Sequence, residues 1–147
     1  MRSTVLTLCL LLSTAAVSAA QARPKDEAGI RNRVAQYAAA VNKRDTEAIG
    51  GIFAPDADLV VFDGPRIVSR DSIRKAHEMI ASWPSTKRFS LEVTNIRFLG
   101  SDLALVETVA HFSEGEMTSN RGTILARRRN GKWFWTALRV YPAERAS

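Results

Sequence analysis

Residues Leu103 to Tyr141 constrain this chain most. The stretch reads as three β-strands joined by tight turns at Glu114-Gly115 and Asn130-Gly131, and Asn-Gly is the strongest short hairpin signal a sequence offers. Two-residue turns at both places fix the register: Glu107 falls opposite Gly122 and Gly122 opposite Arg139, giving one row of Glu107, Gly122 and Arg139. Alternation puts Leu105, Val109, His111, Asn120, Trp133 and Trp135 on that same face. The other face then carries Val106, Ala110, Phe134, Leu138 and Val140. Neither face suits open water. Helices are expected to cover one, and a second copy of the chain, as a homodimer, the other.

The N-terminus carries a different signal. Met1-Arg2 precedes an apolar run from Val5 to Leu12, which passes into small residues ending Ala20-Gln21-Ala22. This is the pattern of a secretory signal peptide over residues 1–22. It implies an exported product, periplasmic or secreted, with no membrane attachment after cleavage behind Ala22 or Ala19. One domain is then expected over residues 23–147. The single cysteine, Cys9, leaves with the leader, which removes any disulfide, thiolate nucleophile or cysteine metal site. A formal net charge of +6 allows nucleic acid as a partner on charge alone. However, alternation splits Arg127, Arg128 and Arg129 between faces and no aromatic RNA-binding motif accompanies them, so no nucleic-acid partner is expected.

In chain order, Asp26 is a candidate cap for a helix with Ile30, Val34, Tyr37 and Val41 on one side, and Asp45 for a short helix carrying Ile49, Ile52 and Phe53. A strand from Leu59 to Phe62 turns at Asp63-Gly64 and returns at Ile67-Val68. A third helix, capped by Asp71, carries Ile73, Ala76, His77 and Ile80 before Pro84. Phe89, Leu91 and Val93 alternate in one parity and Ile96 and Phe98 in the other, which predicts a bulge near Thr94-Asn95. The fold class is α+β: a strongly curved antiparallel sheet with three N-terminal helices packed on its concave side.

Tyr37-Ala-Ala-Ala-Val-Asn-Lys-Arg-Asp-Thr-Glu-Ala-Ile49, Phe53-Ala-Pro-Asp-Ala-Asp58, the Asp63-Gly64 turn, Ser69-Arg-Asp-Ser-Ile73 and Gly131-Lys-Trp133 stand in an order and spacing that resemble the nuclear-transport-factor-2-like superfamily. They are most similar to its SnoaL-like and ketosteroid-isomerase-like bacterial branch, over about residues 27 to 140. The resemblance implies a cone-shaped sheet around a pocket. It does not imply one reaction, because the fold hosts many. It also implies that Tyr37 stands where ketosteroid isomerases keep an oxyanion-binding tyrosine. The proton-moving aspartate of those enzymes falls at Val61, and their assisting carboxylic acid near Leu125. Steroid isomerisation is therefore not expected.

Beyond the resemblance, Asp63 shares the strand face of Val61 and is a displaced candidate base, with the first place of an Asp-Gly turn as its structural alternative. Glu107 sits in an apolar run where a carboxylate must be paired or neutralised, and Arg139 is its expected partner across Gly122. That pair reads either as a register-fixing ion pair or as an acid-base and ligand-orienting site. His111 is a further candidate acid-base group, and Asn120, Trp135 and Phe53 are candidate ligand contacts. No metal or cofactor site is expected: the histidines lack ligand spacing, and neither a glycine-rich phosphate loop nor a serine-hydrolase elbow occurs. Two functions follow from this. One is an exported, cofactor-free enzyme of isomerase, lyase or cyclase type acting on a small, largely apolar molecule. The other is a non-catalytic ligand-binding or dimerisation module.

Overall fold

The computed structural model describes residues 23–143, so the expected signal peptide and its expected cleavage sites lie outside the described residues. Helix α1 (Pro24–Lys43) and the short α2 (Thr46–Gly50) precede β1 (Phe53–Val61) and β2 (Ile67–Val68). Helix α3 (Arg70–Ala76) continues as a 3-10 segment, His77–Ser82. Strands β3 (Phe89–Phe98), β4 (Leu103–Phe112), β5 (Ser119–Arg129) and β6 (Lys132–Pro142) follow. All six strands form one open sheet in the order β2-β1-β6-β5-β4-β3. Its inner face packs against the helices, as expected for a curved α+β fold. The sheet is mixed rather than antiparallel, because β1 runs parallel to β6.

The helix ends show which local signals held. Asp45 caps α2, accepting from the Ala48 amide at 2.9 Å. Asp26 does not cap α1: the helix starts at Pro24, whose missing N–H costs nothing in the first turn. Asp26 instead accepts from Arg23 at 2.9 Å and from Arg128 at 2.8 Å, tying the helix start to β5. Ser69, two residues before Asp71, caps α3. Phe53 opens β1 rather than closing α2, and Pro55 lies within the stretch where the register between β1 and β6 shifts. α1 approaches β6 closely at Gly29, where an added Cβ would stand 3.0 Å from the Trp133 ring.

The bulge in β3 sits between Val93 and Asn95, as the change of parity predicts. Asn130-Gly131 is the two-residue turn expected, with both residues at positive φ and Arg129 opposite Lys132. The other turn is longer. His111 pairs with Ser119 around Glu114-Gly115, which moves β4 against β5 by one residue and sets Thr108, not Glu107, opposite Gly122. A second shift follows in β6, where Ala126 faces Trp135 but Leu125 faces Ala137, leaving Thr136 as the extra residue. Thr136 anchors this bulge by donating to the Leu125 carbonyl at 3.0 Å.

Each one-residue slip exchanges the faces beyond it. Val106, Ala110 and Leu138 are therefore buried toward the helices, with Val140 packed against them. They do not form the outer apolar patch on which the expected dimer rested. Phe134, from the same set, is half-buried beneath the Arg33 guanidinium, which lies 5.0 Å from its ring centre.

Candidate functional site

The inner face of the sheet, α1, α3 and the 3-10 segment enclose a cavity of about 370 Å³. Its walls are Leu59, Val61, Ile80, Trp83, Phe89, Leu91, Phe112, Trp135, Leu138 and Val140, with smaller neighbours. Among the described residues, hydroxyl, imidazole and amide side chains enter at Tyr37, His77, Thr108 and Asn120. Among the described residues no aspartate, glutamate, lysine or arginine lines it. Val61 does line it, so the position that the resemblance assigns to a catalytic aspartate is in the pocket and is apolar.

Tyr37 projects from the buried side of α1 with Ile30, Val34 and Val41. Its ring packs against Trp135, 4.7 Å between centroids, and edge-on against Phe53 and Phe89. Its hydroxyl meets His77 Nε2 at 2.9 Å. His77 stands at the junction of α3 and the 3-10 segment, and its Nδ1 lies 2.8 Å from the Ile73 carbonyl. A carbonyl only accepts, so Nδ1 carries the ring hydrogen and Nε2 accepts from Tyr37. Burial pushes the Tyr37 hydroxyl up and the His77 imidazole down, which favours the neutral form of both.

Two further contacts shape the pocket. The Asn42 side chain donates to the Phe89 carbonyl at 2.7 Å and accepts from the Phe89 amide at 2.9 Å, clamping the end of α1 to the start of β3. Thr108 donates to the Gly122 carbonyl at 3.2 Å, and a Cβ on Gly122 would come within 2.8 Å of the Thr108 hydroxyl. Gly122 thus allows Thr108 to lean over β5.

Of the sequence-predicted residues, the structure brings Tyr37, Asn120 and Trp135 together at this cavity. Phe53 is fully buried behind Tyr37 and Trp135. The others lie elsewhere. Glu107 is exposed and accepts from Asn95 Nδ2 at 2.9 Å. Strand slippage turned it to the outer face, so it suffers no desolvation and needs no arginine. Glu107 and Arg139 still flank one β5 residue, because the two slips cancel, but that residue is Thr123. Arg139 pairs instead with Asp58 in a two-pronged contact of 2.7 and 3.1 Å. Arg66 donates to the same carboxylate. These hydrogen bonds hold Asp58 below its ordinary pKa, the Arg139 contact most strongly. His111 is exposed, 3.7 Å from Glu92. Asp63 occupies the exposed turn after β1, matching its structural alternative.

Sequence reasoning missed His77 and Thr108 as pocket residues. Forty positions separate Tyr37 from His77, and no spacing rule links residues that far apart in the chain. The one available signal was the apolar helix side shared by Ile73, Ala76, His77 and Ile80. Among the described residues no cluster of three or more histidine, cysteine or acidic side chains is placed to hold a metal.

The fold is shared with solved bacterial proteins. A domain of unknown function with a cystatin-like fold from Nostoc punctiforme superposes with a TM-score of 0.74 at 22% identity, covering 84% of this chain and 81% of that one. A putative scytalone dehydratase from Novosphingobium aromaticivorans gives 0.71 at 14% identity, with 83% and 95% covered. A ketosteroid isomerase-like protein from Erwinia carotovora gives 0.67 at 16% identity, with 84% and 100% covered. No curated protein matches. Residues 34–135 match the SnoaL-like domain, a span running from the middle of α1 to the pocket tryptophan Trp135, and the chain belongs to that family.

Proposed function

We propose that this protein is an exported small-molecule-handling domain whose cavity receives a neutral, largely apolar molecule. The carrying observation is the wall itself: a cavity of about 370 Å³, of the size that binds small ligands, with four polar contacts and no charged side chain. An anionic or cationic ligand would lose its hydration there without a counter-charge. Tyr37 and His77 supply the polar end for cofactor-free chemistry of isomerase, lyase or cyclase type. The alternative, a binding module without catalysis, is favoured by one feature, Val61 in place of a carboxylate base. The scytalone dehydratase and ketosteroid isomerase-like neighbours support small-molecule handling by likeness of fold.

The test uses the fluorescence of Trp83 and Trp135, both in the wall. Titrated 2-methylnaphthalene should quench it saturably, and 2-naphthoate should bind at least about tenfold more weakly, a 1.4 kcal/mol difference. Ala110→Phe, which places a ring in the cavity, should abolish quenching with little change in melting temperature. Tighter binding of the carboxylate would overturn this reading. Export and pairing are checked on the same preparation. Expression with the native leader should give a chain starting at Arg23 or Ala20 by intact mass. Light scattering should give twice that mass, through an outer face that now rests on half-buried Leu105, Val109 and Leu125. A product retaining Met1, or a clean monomer, would refute the respective part.

A further inference from the structure

The Tyr37 hydroxyl has one hydrogen and it is already committed. The Ile73 carbonyl holds the hydrogen of His77 on Nδ1, at 2.8 Å, so Nε2 at 2.9 Å from the tyrosine must receive the phenolic hydrogen. Among the described residues the tyrosine oxygen has no donor of its own. Its lone pairs are then what Tyr37 offers to the cavity it lines. The polarity is opposite to that of an oxyanion-binding tyrosine, which must keep its hydrogen free for the ligand. To donate to a ligand carbonyl, Tyr37 would have to abandon Nε2 and leave a buried nitrogen without a partner.

The remaining polar groups do not change this. Thr108 spends its hydrogen on the Gly122 carbonyl. Among the described residues Asn120 has a long side-chain contact, 4.0 Å, to the Met117 sulfur, and its amide can satisfy a donor or an acceptor equally, so it does not discriminate between them. A ligand that matches the Tyr37 end must therefore bring its own hydrogen.

We propose that the Tyr37–His77 pair is a hydrogen-bond acceptor that selects neutral apolar molecules bearing a hydroxyl donor, of the phenol or enol kind, over ketones and ethers of the same shape. This rests on the small-molecule reading given above and names the ligand class for that same cavity. The specificity element is His77, acting through Tyr37. It is a positioning residue, fixed in turn by Ile73.

The experiment compares three probes of one shape by the same tryptophan quenching: 2-naphthol as donor, 2-methoxynaphthalene as the capped ether, and 2-acetylnaphthalene as a pure acceptor. The wild-type protein should bind 2-naphthol about tenfold more tightly than either of the others, the difference expected for one buried hydrogen bond. His77→Leu keeps an apolar side chain there and releases the tyrosine hydrogen. In that variant the ketone should gain about tenfold and 2-naphthol should lose its lead. A merely structural role for His77 would lower all three affinities together. Equal binding of the three probes by the wild type, or preference for the ketone, overturns the donor assignment while leaving the cavity reading intact. Absence of saturable binding by all three, together with failure of 2-methylnaphthalene, overturns both. Because the wild-type ranking needs no mutation, the proposal is decided even where His77→Leu does not fold.

Discussion

Trp135→Ala is expected to lower the free energy of unfolding by about 3–5 kcal/mol, the usual cost of deleting a fully packed aromatic side chain. Trp135 is 1% exposed, and its ring touches those of Tyr37 and Phe53, at 4.7 and 5.4 Å between centroids. α1 cannot settle into the vacated space, because Gly29 already brings it against the neighbouring Trp133. A cavity thus persists, and the loss exceeds simple transfer of the ring to water. Urea unfolding followed by circular dichroism measures this. The change should also remove one wall of the ligand cavity, so quenching through Trp83 by 2-methylnaphthalene should weaken in parallel. A loss under ~1 kcal/mol would mean that the aromatic cluster is not close-packed.

Arg139→Met is expected to cost about 3 kcal/mol, the low end of the range for breaking a buried ion pair. The Asp58 side chain is 7% exposed, and its remaining partner, Arg66, is 64% exposed and screened. The carboxylate would then keep one exposed donor in place of its two-pronged contact. Asp58→Leu combined with Arg139→Met should recover most of the loss, because two apolar side chains replace the pair. The pH dependence has a definite sign. Asp58 has a folded pKa below its ordinary 3.8, so its contribution is present above that value and fades as pH falls through the depressed folded one. Wild type and Arg139→Met should therefore converge in strong acid. Unfolding midpoints that stay apart there, or a double mutant no better than the single one, would contradict the assignment.

How much of this was legible in the sequence follows from the range over which each signal acts. Short-range signals held where one residue decides the geometry: Asn130-Gly131 as a two-residue turn, Asp45 as a cap, the parity change that marks the β3 bulge. The family pattern held over the same elements and correctly put Tyr37 and Val61 at one pocket. Register did not hold, because it is cumulative. One longer loop around Glu114-Gly115 and one bulge at Thr136 each moved a strand by a single residue, and together they turned Glu107 and Arg139 outward. Nothing in the residues of β6 marks Thr136 as the extra one. The Asp58–Arg139 pair was hidden for a different reason. It joins strands that run parallel and lie far apart in the chain, and no turn connects them to fix an alignment.

The parallel pairing of β1 with β6 also sets an order of events. β6 lies between β1 and β5, so the first strand has no partner on that side until the last has been made. Asp58 and Arg139 are 81 residues apart, and contacts of that separation close slowly because the intervening chain must first be confined. During synthesis the helices and the β1–β2 pair emerge first, with an apolar face and an open strand edge. Until Lys132–Pro142 arrives, that edge lacks its native partner and is open to pairing with other extended segments, the exposure that strand edges present to aggregation.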